Sequence, residues 1–411
     1  MMYFFDEIEL GEFIELKRGY DLPYTKRNKG NIPIVTSSGI NDFHNVPMVH
    51  GPGVVTGRYG TIGEIFYLNE DFWPLNTTLY VCDFKGNNPK FVYYFLKTID
   101  WQQFNDKSGV PGINRNDVHA LIVKVPSTVK HQTLIADALY LFDQKIELNK
   151  KMNETLEQMA QAVFQDWFVD FGPVKRKAEG ITDPVAILGA LIPDPVTAQD
   201  IANLFPDQFA ENGLPEGWVQ SKLGHEFNVT MGQSPPGSTY NAINEGLPFF
   251  QGRRDFGFRF PKNRVYCNNP SRIAEKNWTL VSVRAPVGDI NRSHEKSCIG
   301  RGVSTLIHKS GLASYTYYYA LALKRVFEHY NSNGTVFGSI NKKQLEDITI
   351  LAPNLSIVQT FDDLITGVDQ FILNNTDQNH TLAEMRDLLL PKLMSGEISV
   401  DELEKKMGGV L

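Results

Sequence analysis

Cysteine is scarce: Cys82, Cys267 and Cys298 stand alone in 411 residues. That excludes a disulfide framework or a cysteine metal cluster and points to a reducing compartment. No run of about 20 apolar residues occurs, so no membrane span is expected. The start, Met1-Met2-Tyr-Phe-Phe-Asp-Glu, has no basic n-region, so no signal peptide is expected. The expected location is the cytoplasm. Local catalytic signatures are missing too: no Walker A loop, no glycine-rich cofactor fingerprint, no nucleophile elbow and no paired metal spacing. The nine histidines are scattered, and His44, His50 and His131 read as ordinary surface or core residues. Gly57-Arg58-Tyr59-Gly60-Thr61-Ile62-Gly63 does not follow G-x-G-x-x-G and reads as a tight turn presenting Arg58. No catalytic residue, metal or cofactor is predicted for this chain.

Proline and glycine are absent between Pro126 and Phe171, so nothing there forces a helix to stop. Apolar residues recur at steps of three and four: Ile135, Leu139, Phe142, Ile146, then Leu156, Ala160, Val163 and Trp167. This near-heptad seam predicts a long helix laid along another helix. A helix over 132–168 would be roughly 55 Å long, a strut that needs a partner. The two central seam positions are polar, Asn149 and Asn153.

A shift of 226 residues brings the seam back as Phe361, Ile365, Val368 and Ile372, then Asn375 and Asn379, then Leu382, Arg386, Leu389 and Leu393. Upstream, Ile113-Asn114 matches Ile340-Asn341, and Leu10-Gly11 with Gly19 matches Leu223-Gly224 with Gly232. The chain is therefore read as a tandem duplication of globular part plus long helix. An antiparallel pairing would set Asn149 near Asn379 and Asn153 near Asn375, fixing the register.

The globular parts read as mixed strand and helix. In 1–126, Ile32-Val35, Gly53-Thr56 and Leu79-Val81 read as strands, and the stretch from Phe91 reads as an amphipathic helix. Residues 173–213, with two Asp-Pro pairs, read as a linker, part of it loosely ordered. The last helix is expected to start with the capping box Ser356-x-x-Gln359 and to stop or kink near Pro391.

Net charge is −7 overall but unevenly spread: −2 over 1–126, −7 over 127–220, +8 over 221–353 and −6 over 354–411. Phosphate binding responds to the local field, so the second globular part is a nucleic-acid candidate despite the acidic total. It clusters Arg253, Arg254, Arg259, Arg264, Arg284, Arg292 and Arg301 in loop-like sequence, with Gln233, Gln251, Asn331 and Asn333 near glycines. Arginine reads guanine edges bidentately, and Asn or Gln reads adenine. Tyr240, Phe249, Phe250, Phe256 and Phe258 are interleaved. In the first part the candidate DNA contacts are Arg58, Lys107 and Arg115.

Several stretches resemble the specificity subunits of type I restriction–modification enzymes. They are Phe164-Gln-Asp-Trp167-Phe168-Val-Asp-Phe-Gly-Pro173, Leu388-Leu-Leu-Pro-Lys-Leu-Met-Ser-Gly-Glu-Ile398, Leu214-Pro-Glu-Gly-Trp218, Arg284-Ala-Pro-Val-Gly288 and Gly300-Arg301-Gly302. The resemblance implies an α/β (α+β) architecture of two target-recognition domains in tandem pseudo-repeat, separated by two long antiparallel coiled-coil helices. The expected segments are domain 1–126, central helix 127–172, linker 173–213, domain 214–353 and distal helix with tail 354–411. It further implies a bipartite double-stranded DNA target and a non-catalytic role. The implied partners are two methyltransferase subunits, which would carry S-adenosylmethionine, and nuclease/translocase subunits. The residues alone also leave open a stand-alone architectural DNA-binding protein, or an enzyme whose catalytic residues are distant in sequence.

Overall fold

The computed structural model describes residues 5–104, 112–332, 338–399 and 402. It divides into two compact units, Met1–Asn149 with Asp377–Leu411, and Lys150–Thr376. The division falls inside both long helices. Each unit therefore holds one α/β domain and a piece of each long helix.

In the first unit, strand Phe5–Glu9 pairs antiparallel with Ile122–Pro126, which leads into the helix Val129–Phe164. A four-stranded sheet runs in the order Glu15–Arg18, Thr78–Asp83, Gly53–Gly57, Ile65–Leu68. A three-stranded sheet runs in the order Gly39–His44, Ile32–Thr36, Trp73–Pro74. The expected strands and the helix Pro89–Lys97 are all present. That helix starts well because Asn88 accepts from the Lys90 and Phe91 amides and Pro89 fills the first turn. Its buried face, Phe91, Tyr94 and Phe95, joins Leu10, Phe13, Ile135, Leu139 and Leu393 in one core. The long helices thus contribute directly to the domain core.

The second unit repeats the plan. Val219–Lys222 pairs with Thr349–Ala352, which leads into the helix Leu355–Ser395. The four-stranded sheet runs Phe227–Met231, Val303–His308, Thr279–Ser282, Ile290–Arg292. The smaller sheet grows to five short strands. The helix Ala313–Ala322 stands where Pro89–Lys97 stands in the first unit.

Three expectations need correction. Residues 173–213 are not loosely ordered. Helices Gly172–Ala178, Pro184–Ile187 and Pro195–Ala202 pack Ile187, Leu188, Ala198, Ile201 and Phe205 into the core of the second unit. The Asp-Pro pairs are helix starts: Asp183 accepts from the Ala186 amide and Asp194 from the Thr197 amide, each at 2.8 Å. Arg176 grips Asp166 with both terminal nitrogens. Ser356 lies inside its helix, and the capping box occurs instead at Asn341 and Gln344. The helix also runs through Pro391 to Ser395, because only one backbone bond is forfeited so close to its end.

Both units show the helix pair to be antiparallel. In the first, the Asn149 amide donates to Asn379 Oδ1 at 3.0 Å and to Gln378 Oε1 at 2.7 Å, while Arg386 pairs with Asp143. In the second, the Asn375 amide donates to Asn153 Oδ1 at 2.9 Å. Asn149 and Asn153 are buried at 0% and 4% exposure, so the seam carries a polar centre where apolar packing would be favoured. Asn149 Oδ1 accepts no hydrogen bond among the described residues. This is a cost accepted for register, since a slip would bury further unpaired amides.

Arg259, expected at a DNA surface, is 1% exposed and locked into the second unit. Its guanidinium bridges Glu157 on the first long helix and Asp369 on the second, and donates to the Tyr318 hydroxyl at 3.0 Å. Arg292, 4% exposed, shares Asp369. Tyr317 donates to Glu157 at 3.0 Å and Ser314 to Asp369 at 2.6 Å. The physical reason is simple: two buried carboxylates on the helices need buried cations, and these arginines supply them. Neither arginine can reach nucleic acid.

Two outcomes follow from this packing. Asn149→Leu with Asn379→Leu should raise the thermal stability of the chain, by about 1–3 kcal/mol for the relieved acceptor, while loosening register. Unchanged unfolding and an unchanged cross-linking pattern between the helices would contradict the role given to these side chains. Arg259→Met should destabilise by about 3–5 kcal/mol, because it strands the buried Glu157 carboxylate and leaves Asp369 with Arg292 alone, and adding Glu157→Gln should recover part of the loss. Normal stability in Arg259→Met with lost DNA binding would return Arg259 to a surface role.

Candidate nucleic-acid interface

In the second unit, strand Phe227–Met231 ends at Gly232, whose amide bonds Val303 O at 2.9 Å. A Cβ on Gly232 would sit 2.2 Å from Gly300 O, so only glycine permits this approach. Strand Leu247–Phe250 runs parallel to Ser297–Ile299, and Gly300 N bonds Phe250 O at 2.9 Å. Gly302 N then bonds Gln251 O at 3.1 Å, and Val283 N bonds Gly302 O at 3.0 Å. Four loops are thereby stitched together by backbone. A fifth joins through Ala285 N to Gly338 O at 2.9 Å and Ile340 N to Val283 O at 3.1 Å.

This frame holds most of the expected second-domain residues. Gln233, Gln251, Arg253, Arg254, Arg284 and Arg301 are all exposed. Ser234 Oγ ties two loops by accepting from the Gln251 amide and the Arg301 backbone, both at 3.3 Å. Arg253 pairs with Asp289 at 3.0 Å, which anchors its turn to the loop after Arg284. Arg253 and Asp289 also line an open cleft of about 310 Å³ with Lys324.

Other members of the arginine group stand elsewhere. Arg259 and Arg292 belong to the buried cluster, and Arg264 is spent on Asp255. Asn331, expected among the base readers, instead braces the loop after Arg284: it accepts from Val287 N at 2.7 Å and donates to Val287 O at 2.9 Å. Of the aromatics, Phe249 and Phe250 are core, Tyr240 stacks on Phe249, and Phe258 is exposed. Asn333 and Lys107 lie outside the described residues.

The first unit carries the same frame. Gly19 N bonds Thr78 O at 3.0 Å, Leu75 N bonds Val35 O at 2.9 Å, Arg58 N bonds Thr77 O at 2.8 Å, and Ile113 N bonds Arg58 O at 3.0 Å. Its loops surround a cleft of about 450 Å³ lined by Arg18, Arg58, Tyr59, Phe104, Asn114 and Arg115. The Arg58 guanidinium lies over the Tyr59 ring, 4.5 Å from its centre. Arg115 opens the short helix Arg115–His119, whose cap Asn114 accepts from Asn116 N at 3.1 Å. Burial pushes the nearby His119 imidazole below its usual range, consistent with its Nε2 accepting from the Leu16 amide at 3.0 Å. Three guanidinium groups in one cleft, with a stacked aromatic, can bind phosphate and read base edges.

Sequence reasoning missed two residues here. Arg18, which pairs with Asp21 at 3.5 Å, sits one position before the repeat anchor Gly19. Asn76 donates to Asp21 from the turn after strand Trp73–Pro74. A shift of 225 residues would have set Asn76 opposite Arg301, but only the backbone bonds reveal that match. Arg284 takes the place of Tyr59: Tyr59 bridges Gly112 as Arg284 bridges Ser339. Among the described residues no group of acidic, His or Cys side chains is arranged to hold a metal, and no helix is long and apolar enough to cross a membrane.

Comparison with known proteins agrees with this duplicated frame. The family model described as type I restriction modification DNA specificity domain matches twice, over residues 5–158 and 215–382. A putative type I restriction enzyme MjaX specificity subunit of Methanocaldococcus jannaschii is 35% identical over 190 residues, 46% of this chain and 45% of that protein. The chain thus matches less than half the length of that relative. The type I restriction enzyme HindI specificity subunit of Haemophilus influenzae is 26% identical over 359 residues, 75% of this chain and 77% of that protein. In fold, the chain is similar to the crystal structure of a type I restriction-modification system S subunit from M. genitalium. The TM-score is 0.57 at 15% identity, over 95% of this chain and 96% of that one. With two matched copies spanning most of its length, the chain belongs to the type I restriction modification DNA specificity domain family.

Proposed function

We propose that the chain is the specificity subunit of a multisubunit DNA methyltransferase and endonuclease. Each unit reads one part of a bipartite double-stranded DNA target, and the helices set the unread spacer. The observation that carries this reading is the repeated frame of backbone-linked loops, found once in each unit: the first presents exposed Arg18, Asn114 and Arg115, and the second exposed Gln233, Gln251, Arg253, Arg254, Arg284 and Arg301. Base contacts from these side chains specify, and phosphate contacts position. This chain performs no chemistry. It places the target for two methyltransferase subunits that carry S-adenosylmethionine and flip the base, with nuclease/translocase subunits joining them in the cytoplasm. Exposed apolar side chains on the helices support docking there: Leu148 and Leu388 in the first unit, at 53% and 64%, and Met159 and Phe371 in the second, at 59% and 64%. Co-purification tests the assembly. The proposal expects a partner with a cofactor-binding fingerprint, whereas a chain that binds DNA alone and brings down no such protein would be an architectural DNA-binding protein.

The second domain gives a quantitative outcome. Arg253→Ala with Arg254→Ala should weaken DNA binding. Each contact that meets only phosphate should reduce the salt slope by about 0.9 and leave sequence preference alone. A base-reading contact should relax one position by about 1–3 kcal/mol. Unchanged affinity and preference at two salt concentrations would remove both residues from the interface.

The spacer gives another. Lengthening the chain after Trp167 would fail, because Trp167 is fully buried against Phe205 and Phe361. A seven-residue insertion in each helix, between Lys150 and Lys151 and between Asp377 and Gln378, keeps the near-heptad seam. It adds about 10 Å, or roughly three base pairs at 3.4 Å each. The methylation map of cells carrying this variant with its partners should show both parts of the target unchanged and the spacer longer by about three base pairs. Modification at the original spacing would show that the helices are not the ruler.

A further inference from the structure

We propose that one turn in each domain carries a base-reading side chain at its tip: Asn76, which addresses an adenine, and Arg301, which addresses a guanine. The inference rests on the DNA-reading function proposed above and names two residues for it. The two turns share most of their backbone bonds. Thr78 N bonds Leu75 O at 2.9 Å, and Val303 N bonds Gly300 O at 2.9 Å. Leu75 N bonds Val35 O where Gly300 N bonds Phe250 O, both at 2.9 Å. Glycines press against each turn: a Cβ on Gly19 would meet Leu75 O at 2.1 Å, as one on Gly232 would meet Gly300 O at 2.2 Å. Asn76 and Arg301 therefore occupy the same place on the same rigid support.

Each turn is fixed on three sides by backbone bonds to separate strands or loops, so its tip side chain pays little ordering cost on binding. Each tip residue is also held by the loop that follows Gly19 or Gly232. Asn76 donates to Asp21, whose carboxylate also faces Arg18 at 3.5 Å. Ser234, in the place of Asp21, accepts from the Arg301 backbone and the Gln251 amide, both at 3.3 Å. One amide hydrogen of Asn76 held by Asp21 leaves its carbonyl and second amide hydrogen for the acceptor and donor pair of adenine. The Arg301 guanidinium is exposed and has no carboxylate partner among the described residues, which leaves its fork for the two acceptors of guanine. The chemical difference between the two tips is the difference between the two bases.

The test uses the full chain with its co-purifying partners and selects bound duplexes from a pool randomised across the target. It runs at low salt, where backbone contacts keep weakened variants bound. Asn76→Ala should relax one base pair, an A·T pair, in one part of the target and leave the other part intact. Arg301→Ala should relax one G·C pair in the other part. Each loss should be about 10- to 100-fold in preference at that position. Arg301→Lys keeps the charge and loses the fork, so it should retain affinity while losing most of the guanine preference. Selection unchanged in the Ala variants, affinity lost equally for all sequences, or relaxation at the opposite base type would each overturn the assignment. A wild-type complex that selects no sequence would instead defeat the underlying function, which separates the two failures.

Discussion

A carboxylate on each long helix, reached by a buried tyrosine of the adjoining domain, ties recognition domain to strut in both units. In the first, Tyr94 donates to Asp143 at 2.5 Å; in the second, Tyr318 donates to Asp369 at 3.3 Å. The two aspartates are 226 residues apart, the period of the helix repeat. Burial is the main cause that pushes both hydroxyls well above the usual tyrosine range, so each remains a donor at any working pH. The cation differs. Asp143 is neutralised by Arg386 from the other long helix, whereas Asp369 is neutralised by Arg259 and Arg292 from the domain. The same repeat position is thus completed in two ways, each keeping the carboxylate paired with a cation.

The architecture was legible because it is written in periodicity. Seam positions from Ile135 to Trp167 and from Phe361 to Leu393, with two polar residues at the centre of each, specify two long helices laid along each other; the antiparallel direction came with the family resemblance, and the pairing of Asn149 with Asn379 follows from that direction. Tertiary contacts decided what periodicity could not. The stretch 173–213 reads as a linker because it is rich in breakers, yet those prolines begin helices whose apolar residues fill the second unit's core. The proline at 391 reads as a stop or kink, and the helix ends four residues beyond it, at Ser395.

The candidate interface was half legible for a related reason. Charge density marks a domain, not a side chain. Arg253, Arg254, Arg284 and Arg301 lie on loops that the backbone brings together, and nothing local in sequence separates them from Arg259 and Arg292. What separates them is the location of buried carboxylates more than 70 residues away, Glu157 and Asp369. The first domain presents the converse. Its charge is near neutral, so composition gives little weight to Arg18 or Asn76, although the frame puts both beside Asp21. Equivalence between the halves emerges from shared backbone bonds more than from shared letters.

The central claim is that two equivalent frames read two separate stretches of one DNA duplex. A methylation map of DNA from cells carrying the unaltered chain with its partner subunits tests it most directly. The account predicts that every modified base lies in a motif of two specified parts, with different bases, separated by a fixed number of unspecified base pairs. Modification in a single uninterrupted motif, or without sequence preference, would contradict it.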